Sequence, residues 1–170
     1  MTDTASPLPD PDILRAAFQR AFRDGHEALA QALAGLSTEQ LDWRPGADEN
    51  SLAVLALHAL DAERFLLAAI ADEVIERDRE AIFRVRAIGP AALLEVVQSR
   101  SDEMDSRLAR LPMARLEATI SRGSLSGSGL WFLVHAVEHT REHVGQVQLT
   151  RQLLLAPGDT PAPVRNATPA

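Results

Sequence analysis

Three histidines stand four residues apart, His135, His139 and His143, inside the segment 130–155. Residues at i and i+4 share one face of an α-helix, one above the other. His139 and His143 so placed lie roughly 6 Å apart along the axis and nearly in register. Both can then approach one ion at about 2.0–2.1 Å. A third ligand has to come from another element, and His58 sits inside an earlier apolar run. The chain has only five histidines, and four of them fall in these two segments. This spacing predicts two long helices lying side by side, with a histidine-ligated divalent metal between them.

The rest of the chain supplies the other helices of such a bundle. Asp10 and Pro11 form an N-cap and N1 pair. Ile13, Leu14, Ala17, Phe18, Ala21, Leu29 and Leu33 then keep helical spacing to about Gly35. Ser37 to Gln40 reads as a capping box opening one short turn, which Trp43-Arg44-Pro45-Gly46 stops. Asn50 or Ser51 caps a second helix to about Ala71, whose stripe holds Val54, Leu55, His58, Ala62, Phe65 and Ala69. Residues 73–88 are charged and predicted helical in part. Gly89-Pro90 starts a third helix through Leu93, Leu94, Val97, Met104 and Leu108 to Leu111. Residues 112–128 form a connection without firm pattern, and the fourth helix runs from about Ser128 to about Leu155. No convincing alternating strand appears. The expectation is an all-α four-helix bundle over residues 11–155, between a flexible arm (1–10) and a disordered tail (156–170).

Composition removes several function classes. Net charge is −7 with no basic cluster, which argues against nucleic acid as a partner. All 17 basic residues are arginine, so lysine Schiff-base chemistry is excluded. Cysteine is absent, which removes disulfides, thiolate ligands and a cysteine nucleophile, and fits the reducing cytoplasm. No run of about 18 apolar residues exists to span a membrane, and the first residues do not resemble a secretory signal.

Taken singly, a helical histidine is more often an ordinary core or surface residue than a ligand. His58, central to its stripe, is expected to face the core, where both ring nitrogens need partners. His139 and His143 lie across the helix from Leu133, Val137, Val144 and Val147, either exposed or at a cleft edge. The assignment made here is His58, His139 and His143 as metal ligands, with His135 lining the pocket. Glu138, Glu142 and Asp61 are candidates for support or for a fourth ligand. His139 to His143 also matches H-x-x-E-H, an inverted zinc-protease signature. That chemistry needs a further downstream ligand, and the 27 residues after His143 contain no Glu and only Asp159. Ser124, Ser126 and Ser128 lack a nucleophile elbow and read as a loop and helix cap. Trp43 and Trp131 read as core anchors, and His26 as filler without an evident partner.

With these features assembled, the chain resembles the DinB-like (DinB/YfiT-type) superfamily. The resemblance rests on Leu41-Asp42-Trp43-Arg44-Pro45-Gly46, on Asn50-Ser51-Leu52 leading to His58, and on the run from His135 to Gln146 ending H-x-G-Q. It covers about residues 11–155. It implies a four-helix bundle, often a homodimer, with zinc or nickel held at His58, His139 and His143. It also implies a small-molecule substrate and, in some members, a low-molecular-weight thiol cosubstrate such as bacillithiol or mycothiol. An added C-terminal domain of the maleylpyruvate isomerase type is not expected here. In the enzyme reading, a metal-held thiol or water is deprotonated with Glu142 or His135 as the proton shuttle. The alternatives are a non-catalytic metal-binding stress-response module and a metal-free dimerisation unit.

Overall fold

A computed structural model of the chain describes residues 10–156. All but the inner end residue of the expected arm and of the expected tail lie outside the described residues. Four long helices dominate: α1 (Pro11–Leu33), α3 (Leu52–Ala71), α5 (Pro90–Arg110) and α6 (Gly129–Leu155). Two single-turn helices, α2 (Thr38–Asp42) and α4 (Arg79–Phe83), lie in the connections. The all-α bundle expected from periodicity is present. Among the described residues no helix is long and apolar enough to cross a membrane.

Local chemistry sets the helix starts. The Asp10 side chain accepts from Asp12 N at 2.8 Å, ahead of Pro11. Ser37 and Gln40 cap each other reciprocally, with Gln40 N donating to Ser37 Oγ and Ser37 N to Gln40 Oε1. Of the two candidate caps for α3, Ser51 serves, accepting from Val54 N. Helix ends are closed by arginines reaching the last carbonyls, which have no partner within their own helix. Arg15 donates to Ala109 O of α5, Arg115 to Ile70 O of α3, and Arg151 to Ala32 O of α1.

The region 112–128 departs from expectation. It holds a one-turn 3₁₀ helix and an antiparallel hairpin, β1 (Thr119–Arg122) and β2 (Leu125–Ser128). Arg122 pairs with Leu125, so the loop is Gly123-Ser124, and Gly123 supplies a φ of +60°. Two-residue hairpin loops need such positive φ values. The alternation is poor because only Ile120 of the eight strand residues is buried. At Gly129 a Cβ would fall 2.1 Å from Arg115 O, so only glycine lets α6 begin against the 3₁₀ turn.

α6 packs along both α3 and α1, α1 also packs on α5, and α5 returns to α3. α1 and α3 are therefore diagonal partners across the bundle. The apolar interior is in two parts. One contains Leu29, Leu33, Leu52, Leu60, Leu93, Val144 and Val147; the other contains Phe22, Leu66, Ile70, Met104, Leu108, Phe132 and Leu133. Between them lies a polar layer. Glu63 of α3, its side chain fully buried, meets His26 Nε2 of α1 at 2.9 and 3.2 Å and accepts from Thr140 Oγ1 of α6 at 2.8 Å. His26 is thus neither surface nor mere filler. The sequence reading missed this pairing because its members are 37 and 77 residues apart.

Candidate metal centre

The α3–α6 seam brings the three assigned histidines together. The ring of His58 is 5.2 Å from that of His139 and 4.9 Å from that of His143, and His139 and His143 are 4.5 Å apart. One nitrogen of each can be chosen so that all three lie within 4.8 Å of one another. Three nitrogens at tetrahedral angles around one zinc are about 3.4 Å apart, so small ring movements suffice. Among the described residues this is the one group of three or more His, Cys, Asp or Glu side chains close enough to hold an ion.

The donor set fits a divalent cation on two observations. The Nδ1 atoms of His58 and His139 are buried without a hydrogen-bond partner, an arrangement that costs free energy unless something meets the lone pair. Burial, reinforced by the positive charge of His143 when protonated, pushes His58 and His139 down to about 4. Both are therefore neutral near pH 7, the form that binds metal. His143 keeps a different neighbour: its Nδ1 lies 2.8 Å from Gln146 Oε1, which leaves Nε2 free. That contact orients the ring as supporting residues do at metal sites.

Each histidine is backed by its own layer. Behind His58 the ring of Phe83 lies 5.1 Å away, and the guanidinium of Arg79 lies over Phe83 at 4.7 Å. Behind His139 stands His135 at 6.2 Å, stacked on Trp131 at 4.9 Å and 13°. Behind His143 comes Gln146, whose amide donates to Glu142 Oε1 at 3.3 Å. A cleft of about 580 Å³, lined by Pro45, Asn50, Gln146, Leu149 and Leu153, adjoins that third layer. None of the three histidines lines it, so Gln146 is the connection.

Other expectations meet a different outcome. Asp61 is not free to be a ligand, because Arg77 Nε donates to its carboxylate at 2.5 Å. Glu138 is exposed and stands outside the three-histidine group. Glu142 is also exposed and outside the three-histidine group, and its hydrogen bond toward the centre runs to Gln146. Trp131 is not a core anchor: it is 41% exposed and caps His135, whereas Trp43 is buried as expected. His58 is half-buried at the seam instead of deep in the core. Ser128 does cap α6, accepting from Trp131 N, while Ser126 pairs with Ser121 across the hairpin. Phe83 and Arg79 were not singled out from sequence, since nothing local marks the residues that a short connecting helix sets beside a distant ring.

Comparison with known proteins agrees with this architecture. The sequence profile of the DinB superfamily matches residues 21–147. No curated protein matches the chain by sequence. Among solved structures, a conserved protein from Enterococcus faecalis superposes with a TM-score of 0.68 at 15% identity, covering 82% of this chain and 95% of the other. A DinB-like protein from Bacillus subtilis gives 0.64, also at 15% identity, covering 80% and 90%. At that identity the two structures speak for the fold alone.

Proposed function

Because the chain belongs to the DinB superfamily, we propose that it is a metal-dependent enzyme that activates a low-molecular-weight thiol or a water molecule against a small electrophile. The observation that carries this reading is the convergence of three imidazoles from two helices. Three protein ligands leave a fourth position open, as in catalytic zinc sites, where four are used in structural ones. Zinc or nickel is the ion in this reading, and when bound it would supply a Lewis acid that lowers the pKa of the thiol or water.

The residues of the chain do the rest. His58, His139 and His143 would hold the ion, and Gln146 fixes the ring of His143. In this reading Glu142, one turn from His139 and next to His143 on α6, would accept the S–H or O–H proton and, once protonated, return it to the leaving group or product. His135, held flat by Trp131 beside His139, is the second group able to carry that proton. The cleft beside Gln146 falls within the size range of small-molecule sites, which supports a small substrate.

The experiment is a conjugation assay with metal-loaded protein, using glutathione, bacillithiol and mycothiol against a panel of electrophiles. Glu142→Gln is expected to lower turnover about 100-fold without changing metal content. An unaltered rate would transfer the role to His135 or remove it. No turnover with any thiol, together with a melting temperature that falls on chelation, would leave the ion a structural crosslink between α3 and α6. The homodimer and the cytoplasmic setting belong to the same reading. Leu149, Leu153 and Leu155, exposed on the last turns of α6, support self-association. Sedimentation velocity should show a dimer at micromolar concentration, and a monomer there would remove that part.

A further inference from the structure

Two arginines, Arg77 and Arg79, lie on the segment around α4 beside the histidine triangle, one in a buried ion pair and the other in an exposed one. Arg77 is paired with Asp61, with both side chains mostly buried, and lies over Phe65 at 4.5 Å. Its charge is taken. Arg79 has only Glu80, at 3.7 Å, and both side chains are more than half exposed. A pair of that kind contributes little and yields readily to another anion. Yet Arg79 is not loose. Its guanidinium rests on the face of Phe83, whose other neighbour is the ring of His58. This sets a planar cation one aromatic ring away from His58, whose own ring is tilted 45° to Phe83.

We infer that Arg79 is the anion-recognition element of this centre, so that the substrate carries a carboxylate or phosphate on a body that lies along Phe83. The inference rests on the metal-site reading and names the substrate class for it. An arginine fork binds a carboxylate or a phosphate oxygen pair bidentately, which a point charge does not. The exposed face of Trp131, stacked on His135 behind His139, gives a second flat surface near the same group of rings. The acids nearby do not cancel this field. Glu142 is on α6 and bonded to Gln146, Asp61 is occupied by Arg77, Asp78 is paired with Arg84 at 3.9 Å, and Glu80 meets Arg79 only through the exposed pair at 3.7 Å.

The test uses cobalt(II)-loaded protein and its visible absorption, titrated with 3-mercaptopropionate and with the uncharged 2-mercaptoethanol. Arg79→Gln should cut the preference for the carboxylate thiol about five- to tenfold, leaving 2-mercaptoethanol within about twofold of wild type. Arg79→Lys should restore part of the preference. The side chain is 54% exposed, so the variants should keep their fold, which circular dichroism verifies. A normal cobalt spectrum with an unchanged preference in Arg79→Gln, or an equal loss for both thiols, overturns the inference while sparing the metal site. Failure of cobalt to bind at all overturns the metal reading and the inference together.

Discussion

Glu63→Ala should cost about 3–5 kcal/mol of stability, the largest loss of any single substitution outside the apolar core. The carboxylate is fully buried and holds two helices besides its own, through His26 on α1 and Thr140 on α6. Truncation leaves an imidazole nitrogen and a hydroxyl without partners in a layer closed above and below by apolar side chains. For a domain of this size the melting temperature should fall by about 10 °C or more. Glu63→Gln keeps the shape and one carbonyl acceptor, so it should lose less than half as much. The triple variant His26→Leu, Glu63→Met, Thr140→Val removes every unmet group at once and should recover most of the loss. Metal affinity provides a second readout. Thr140 adjoins His139, and Glu63 lies little more than a turn beyond His58, so the same bond sets the register of the α3–α6 seam. Chemical denaturation placing Glu63→Ala within 1 kcal/mol of wild type would show that the polar layer holds nothing together.

Protein prepared without a polyhistidine tag should carry about one equivalent of divalent metal, falling below about a tenth in the His139→Ala, His143→Ala double variant. His58→Ala should behave like the double variant, and His135→Ala should keep its metal. Equal and negligible metal content in wild type and variant would leave the bundle without a metal role. The pH dependence follows from the two depressed histidines. His58 and His139 titrate near 4 when folded and near the usual 6.5 when unfolded. Between those values the unfolded chain binds more protons, so metal-free protein should lose stability progressively as pH falls from about 6.5 to about 4. Protons compete poorly for these two rings until the lower limit, so proton competition at His58 and His139 alone should not release bound metal above about pH 4. Thermal unfolding of the chelated protein across that range, beside elemental analysis after dialysis, checks both. Stability of the metal-free protein that stays flat from pH 7 to 4 would contradict the burial of these rings.

How much of this was legible beforehand depends on how far apart in the chain the cause lies. The caps at Asp10, Ser37, Ser51 and Ser128 act within three residues, and all four appear where the sequence reading puts them. The same holds for the four long helices, whose apolar residues repeat at a period set by the backbone alone. His139 and His143 were visible as a pair for that reason. His58 was joined to them from its place inside an apolar run on another helix, which required the expectation of adjacent helices, and the resemblance to a family implied the same set. The hairpin at 119–128 escaped because its strands are short, rich in Ser and Gly, and bury one side chain. What holds it is its place against the end of α3 and the start of α6. Trp131 escaped because a large aromatic is usually buried, and here the partner on its face is His135.

By itself, then, the order of residues determined which segments are helical, where each begins, and that two imidazoles share a face of the last one. Backbone hydrogen bonding and i, i+4 geometry are local, and they need no knowledge of neighbours. Which third imidazole faces that pair, which carboxylate meets His26, and which arginine rests on Phe83 beside His58 were decided only when the helices packed. Those contacts join residues dozens of positions apart, and side-chain volume at the helix seams selects among them.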